Sequence, residues 1–259
     1  MISYRGVETV DCVGMQPIVE PDLGLSVYLK PNRFFGTERK RFIRALHVQG
    51  SFIFTKDDYD MDLLQQSATA WEELTEYRYI FTYGYKQKLY PISLTFSPKD
   101  YPHLAGFQYM KDISLPNYSS AKIVDRIIEG KILNGTIQKA AMYAEMIEPR
   151  LKALIHLKNS LDNEFTLYSY MPHMYPFTTS IKADYLISSH AGIDSFVFII
   201  QANAQKESKC DFLCCSAFQQ GPRNYEANQR SRILMKKERI HIPSNISTIL
   251  LDKLALQKP

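Results

Sequence analysis

The sequence predicts an α+β protein, with N-terminal helices packed on an antiparallel four- to five-stranded meander sheet and an extra N-terminal segment. Three observations carry this. Apolar residues recur at helical spacing in several runs between residues 61 and 163, five later runs alternate at period two, and seventeen tyrosines with fourteen phenylalanines weight the composition toward strands. Helices first and strands afterwards imply segregated layers rather than alternating βα units.

Residues 1–60 form an extension of unknown role ahead of a domain spanning 61–259. Pro17, Pro21 and Pro31 break any long element there, and only 25–29 and 51–54 read as strands. The extension is expected to pack on the main domain or to bind a partner. Lys30, Arg33, Arg39, Lys40, Arg41 and Arg44 stand close together, with Glu38 the only acid among them. Such a patch suits phosphate, although a solvated helix face is the simpler account, and a net charge of +4 does not establish a nucleic-acid partner.

From Met61 to Thr75, Leu64, Ala68 and Trp71 fall at steps of four and three, a helix with one buried stripe. Tyr77, Tyr79, Phe81 and Tyr83 then share one face of a strand, Gly84 opens a turn, and Tyr90, Ile92, Leu94 and Phe96 share a face of the return strand. Pro91 puts that strand at an edge or on a bulge. A short segment from Phe96 to Met110 holds His103, with Pro102 before it. Ser119 or Ser120 caps a helix with Ile123, Val124, Ile127 and Ile128 on one face and Gly130 at its end. A second helix is expected from about Thr136, with Ile137, Ala140, Ala141 and Ala144 inward. Pro149 marks a new start or a kink, and Leu151, Leu154, Ile155 and Leu161 continue the apolar face to Asn163. The strands that follow run over 165–171, 181–188, 196–202, 210–218 and 233–242, separated by Pro, Gly, Asn or Asp clusters.

No metal or other cofactor is expected. The six histidines include no i, i+4 pair, and neither H-E-x-x-H nor a paired C-x-x-C occurs. Cys12, Cys210, Cys214 and Cys215 lack the spacing of a disulfide framework, and Cys210 and Cys214 share an apolar strand face with Phe212, so core packing is the expectation for them. With no signal peptide at Met1–Arg5, a reduced cytoplasm is the expected setting. No apolar run approaches the ~20 residues of a membrane-spanning helix, so no membrane partner is expected.

Three polar groups carry candidate chemistry. His103 lies beside Lys99 and Asp100, and a histidine titrating near neutrality can take a proton from one oxygen and return it to another, as cleavage of RNA through its own 2′-hydroxyl requires. A histidine that only fixes the following helix accounts for the same spacing. Lys182, in T-T-S-I-K-A-D-Y, is placed opposite Ile181, Ala183 and Tyr185, where it would stabilise a phosphorane or simply face solvent. Ser216, Arg223, Tyr225, Gln229 and Arg230 stand in S-A-F-Q-Q-G-P-R-N-Y-E-A-N-Q-R, where arginine can grip phosphate and tyrosine can stack on a base, although Gly221 and Pro222 suit a plain turn equally.

The order of an aromatic strand, a basic turn, Y-P-I-S-L-T-F, Y-P-H-L-A-G-F, helices, S-I-K-A-D-Y, S-A-F and N-Y-E-A-N-Q resembles the barnase, EndoU, colicin and RelE-like nuclease superfamily, in particular the fourth of its phage and mobile-element-associated domain types. The likeness covers roughly residues 62–250, and F-x(n)-H-L-x-G-[LF] is its most specific part. It implies metal-independent RNA cleavage on an open sheet face, with His103, Lys182, Ser216, Tyr225 and Gln229 at the matching polar positions. Phage or mobile-element origin and action inside a bacterial cell are implied by association. The alternative is an inactive nuclease fold that binds a host defence protein, an inhibitor or nucleic acid. The sequence does not set the oligomeric state.

Overall fold

In a computed structural model of the chain, the described residues are 61–116, 118–202 and 210–255, together with six short strands between 17 and 54. The chain divides into two compact units, Met1–Met61 and Asp62–Pro259. In the first, β1 (Pro17–Glu20) pairs with β2 (Leu25–Tyr28), β3 (Lys30–Phe34) with β4 (Thr37–Arg41), and β5 (Ala45–Val48) with β6 (Ser51–Phe54), all antiparallel. Both strands expected there are present, at 25–28 and 51–54, and four more join them. The basic cluster falls on the β3–β4 hairpin rather than on a helix, with Lys30 opposite Arg41 and Asn32 opposite Arg39. Cys12 and Arg44 lie outside the described residues.

In the second unit, α1 (Leu63–Leu74) opens on a capping box. Asp62 accepts from the Gln65 N–H at 2.9 Å, and the Gln65 side chain accepts from the Asp62 N–H at 3.2 Å. Leu64, Ala68 and Trp71 are buried, as their spacing predicts. The β7 (Tyr77–Tyr85) and β8 (Lys88–Thr95) hairpin buries Tyr79, Phe81, Tyr83, Ile92 and Leu94. Its turn lies at Lys86–Gln87, while Gly84 sits within β7 opposite Leu89, so the expected turn position shifts by two residues.

The helices that follow depart from expectation in one place. After α2 (Tyr101–Leu104), α3 (Ser120–Ile128) buries Val124 and Ile127 as expected. The helix expected from Thr136 is one turn only, α4 (Asn134–Ile137), followed by a π-helical turn at Tyr143–Ile147 that leads into α5 (Glu148–Asp162). Ile137 and Ala140 are buried, whereas Ala141 and Ala144 are exposed. Pro149 stands in the first turn of α5, where its missing N–H costs nothing.

Six strands complete the unit: β9 (Phe165–Ser169), β10 (Tyr185–Ser189), β11 (Ser195–Gln201), β12 (Asp211–Gln219), β13 (Arg230–His241) and β14 (Ile246–Asp252). The expected open meander covered by helices is corrected here. The strand order is β14-β13-β7-β8-β12-β11-β10-β9, and β13 pairs with β9 as well, so seven strands close a barrel and β14 remains as an extra strand. The barrel is mixed because β12 runs parallel to β8 over 211–213. Closure comes from the length of β13. One of its edges pairs with β7, and the other is divided between β9 at Arg230–Arg232 and β14 at Lys236–His241. Period-two alternation identifies strands and their inward faces, but it carries no information on which strand lies beside which.

Barrel and helices share one core, with Tyr79, Phe81, Leu94, Val197 and Phe212 meeting Leu64, Trp71, Leu151 and Leu154. A second, aromatic cluster of Tyr170, Tyr175, Phe196, Phe198 and Tyr225 covers the opposite face of β11. The split follows strand alternation, since Val197 and Ile199 enter the first cluster and Phe196 and Phe198 the second. Lys237 of β13 donates to the carbonyls of Asp162 (3.0 Å) and Asn163, and Arg239 pairs with Asp162, so two cations meet the negative end of α5. Among the described residues no helix is long and apolar enough to cross a membrane.

Candidate active site

The segment around His103 is held from below by tyrosine. Tyr101 is fully buried, and its hydroxyl lies 2.7 Å from Ser67 Oγ and 3.3 Å from the Leu64 carbonyl of α1. Burial pushes the Tyr101 pKa up, so it stays a neutral hydrogen-bonding group. Leu104, three residues on, is also buried, which turns His103 outward on the other side of this single turn. Asp100 stands close by. Burial raises its pKa, and the neighbouring Ser97 N–H, His103 and Lys99 oppose that shift.

Gly106 then makes a tight connection at φ +88°, a conformation that favours glycine. A Cβ there would lie 3.0 Å from both Arg150 Cδ and the Met146 carbonyl oxygen. The glycine therefore leaves room for an arginine to pass. Arg150 is only 8% exposed although it carries a full charge. Its guanidinium lies 5.0 Å from the Tyr109 ring centroid and 5.3 Å from that of Phe218, and its Nη1 donates to the Met146 carbonyl at 2.9 Å. Burial pushes its pKa down, with the Tyr109 and Tyr225 hydroxyls opposing. No carboxylate among the described residues pairs with it. A desolvated cation without a counter-ion is a costly arrangement unless an anion visits.

The third wall comes from the barrel. Phe198 pairs with Ser216 and Ile199 with Cys214, so Cys215 is the extra residue of a β-bulge. The bulge reverses the alternation. Phe212 and Cys214 face the main core before it, Ala217 does so after it, and Cys215 and Ser216 are left to border the same cavity. Cys215 Sγ lies 3.4 Å from the Lys182 carbonyl, which ties the 180–182 loop to the bulge. Burial pushes the Cys215 thiol up to about 11, so it remains a neutral thiol near pH 7 rather than a thiolate nucleophile.

The result is a cavity of about 260 Å³ bordered by His103, Gln108, Tyr109, Arg150, Ser180, Ile181, Lys182, Cys215 and Ser216. It brings together an imidazole, an ammonium, a guanidinium and three hydroxyls, and none of its lining residues is acidic. Of the residues singled out from the sequence, His103, Lys182 and Ser216 meet here. Lys182 lies in the loop before β10 rather than on a strand.

The other four do not line this cavity. Tyr225 is buried in the aromatic cluster, with its ring centroid 5.3 Å from Phe198 and 5.5 Å from Phe218, and its carbonyl accepts from the Tyr175 hydroxyl at 2.7 Å. Because Phe218 also faces Arg150, Tyr225 stands behind the cavity wall. Gln229 is occupied by backbone, accepting from the Met171 N–H at 2.6 Å and donating to the Met171 carbonyl at 3.1 Å. Arg223 stacks on Phe177, and Arg230 begins β13. Sequence reasoning missed Arg150, Tyr109, Gln108 and Ser180. Arg150 had a signal, since it interrupts the apolar stripe of Ile147, Leu151 and Leu154. Cys214 is buried in the core with Phe212, and among the described residues no group of three or more His, Cys, Asp or Glu is placed to hold a metal ion.

The comparison with protein families puts this chain among the nuclease-fold proteins. Residues 63–254 match the family described as phage-Barnase-EndoU-ColicinE5/D-RelE like nuclease 4, and the chain belongs to that family. Neither the curated proteins nor the solved structures gave a match.

Proposed function

We propose that the cavity cleaves RNA through the 2′-hydroxyl, without a metal ion. His103 takes the proton from the 2′-oxygen as that oxygen attacks phosphorus. The P–O5′ bond breaks, His103 returns the proton to the departing 5′-oxygen, and the products are a 2′,3′-cyclic phosphate and a 5′-hydroxyl. Lys182 and Arg150 neutralise the charge that gathers on the phosphorane oxygens, with Arg150 held in place by Tyr109 and Phe218 before substrate arrives. The observation that carries the reading is the convergence of His103, Lys182 and Arg150 on one cavity without a lining carboxylate. Two cations, Arg150 held by its ring contacts and Lys182 at the rim, do the work of a divalent ion there, and the lining offers none of the carboxylates by which magnesium is usually held. The family's phage association leads us to place the activity in the bacterial cytoplasm.

The test is incubation with single-stranded and structured RNA in chelator, followed by analysis of the product ends. Wild type is expected to leave cyclic phosphate, and His103→Ala to lose about 10²–10⁴-fold in rate, the usual range for a positioned acid–base group. No cleavage by wild type, or full cleavage by His103→Ala, overturns the assignment. A second reading, a nuclease fold kept for binding a host protein, draws on the exposure of His103, whose nearby carboxylate, Asp100, is coupled to it through charge alone. A stoichiometric protein partner whose capture survives His103→Ala, with no RNA cleavage, favours that reading.

A further inference from the structure

A surface not bordering the cavity is built from the β7–β8 hairpin and the start of β13. Tyr85 and Tyr90 are 39% and 37% exposed, large aromatic side chains at the open end of an otherwise well-packed hairpin. Tyr90 stacks on Tyr83 across the hairpin, with centroids 5.2 Å apart and planes 14° apart, and Tyr83 is in turn fixed by a 2.7 Å contact between its hydroxyl and that of Tyr185. Arg232 lies 4.2 Å from the Tyr85 centroid and 5.7 Å from that of Tyr83, while its Nε donates to Ser169 Oγ at 2.7 Å. Two aromatic side chains and one guanidinium are thus held in orientation on a solvent-facing surface.

Charge on the hairpin itself has one sign. Lys86 and Arg232 lie against the Tyr85 ring, Lys88 is paired with Tyr85 across the hairpin, and no acidic residue occurs between Tyr77 and Thr95. Lys86 lies 5.3 Å from the Tyr85 ring, and the field of Lys86, then of Arg232, holds the Tyr85 hydroxyl below its ordinary pKa. The turn adds an independent observation. Lys86 and Gln87 both adopt positive φ, 48° and 59°, in a two-residue hairpin turn that ordinarily selects Asn-Gly. A lysine kept where asparagine or glycine fits without strain points to a use for its charge.

We propose that Tyr85 and Tyr90, with Lys86, Lys88 and Arg232 around them, form a binding platform for single-stranded RNA, the bases stacking on the tyrosines and the phosphates meeting the cations. This rests on the reading of RNA as substrate and adds a second contact for it outside the cavity. Single strands fit because their bases offer free faces to exposed rings, whereas a duplex has already stacked its own.

The test is binding of a fluorescein-labelled 12-nucleotide RNA to the His103→Ala protein, followed by anisotropy across a salt series. Tyr85→Ala/Tyr90→Ala is expected to weaken binding at least about fivefold, the lower bound for one lost base–aromatic stack. Lys86→Gln/Lys88→Gln is expected to flatten the slope of log K against log salt by about 1.4, from two phosphate contacts at about 0.7 each. Unchanged affinity in the tyrosine variant with an unchanged slope in the lysine variant, or a duplex of the same sequence binding as tightly as the single strand, overturns the platform. The two readings fail separately. RNA that binds through these residues but is never cut sinks the cleavage mechanism alone, and RNA that is cut with platform variants at full affinity sinks the platform alone.

Discussion

Gly106→Ala tests the link between the His-Leu-Ala-Gly-Phe segment and the cavity. An alanine at φ +88° costs about 1–2 kcal/mol as a left-handed non-glycine residue. Its Cβ would also stand 3.0 Å from the Met146 carbonyl, which is backbone and yields little, and 3.0 Å from Arg150 Cδ, which is side chain and can move. Overpacking of this kind costs about 1–3 kcal/mol, so the total is about 2–5 kcal/mol. For a unit of this size, at about 2–4 °C per kcal/mol, that lowers Tm by roughly 4–20 °C. The functional consequence is separate, because the side chain that gives way is the guanidinium between Tyr109 and Phe218. Thermal unfolding and RNA cleavage are therefore read together, with Gly135→Ala as the control, since a Cβ at Gly135 meets nothing within 4 Å. The expected result is a Tm drop with a loss of cleavage measured well below that Tm, against an unchanged control. A Gly106→Ala protein as stable as wild type would refute the packing argument. A destabilised protein that cleaves fully at low temperature would remove Arg150 from the mechanism.

Three further outcomes follow from the same packing. Burial lowers the Lys237 pKa from 10.5 to about 8, so between those values the unfolded chain holds a proton that the folded one has released. Stability then rises with pH across that window by up to about 1.4 kcal/mol per unit. Urea midpoints at pH 8 and 9 should show the rise, Lys237→Met should lose it, and a flat wild-type profile would contradict the burial. Tyr225→Phe keeps the ring that packs on Phe218 and should leave cleavage close to wild type, whereas Tyr225→Ala should lose about 3–5 kcal/mol of stability. Abolition of cleavage in a stable Tyr225→Phe protein would instead give the Tyr225 hydroxyl a part in the reaction. Replacing the Lys86–Gln87 turn by Asn-Gly relieves two positive-φ residues and should stabilise the hairpin by about 1 kcal/mol or more while weakening RNA binding. A variant that is both more stable and equally avid for RNA would show that the lysine is incidental.

Strands and helices were legible wherever burial repeats along the chain. Tyr79, Phe81, Ile92 and Leu94 declare their inward face by alternation, and Leu64, Ala68 and Trp71 by helical steps. What the sequence could not express was adjacency. Nothing in Arg230–Arg232 announces that β9 lies beside it, yet those three pairings turn a sheet into a barrel. The helix expected from Thr136 stops at the single turn Asn134–Ile137, which contains Gly135, and the alanines at 141 and 144 meet solvent rather than core, so no buried stripe extends it. The site was legible in part on the same grounds. His103 and Lys182 stood out as polar residues beside apolar ones, and Ser216 came with the polar stretch that follows it, but the bulge at Cys215 that aims Ser216 is invisible to alternation. Tyr225, Gln229 and Arg223 have the right chemistry for RNA, and their side chains meet protein instead.

Arg150 shows why the decisive residue was the one overlooked. Position 150 belongs to the buried stripe of α5, where a helix packed on a barrel wants leucine, and the protein places there the side chain that is most costly to desolvate. Tyr109, Phe218 and the Met146 carbonyl offset part of that cost, and Gly106 makes room for it, but none of them is an anion. Three separate segments, 106–109, the π-helical turn and β12, are therefore arranged around a charge that no carboxylate among the described residues pairs with. Local rules break where function sits. An arginine on an apolar helical stripe, three residues from Ile147 and four from Leu154, was the place in this sequence to look for the cavity.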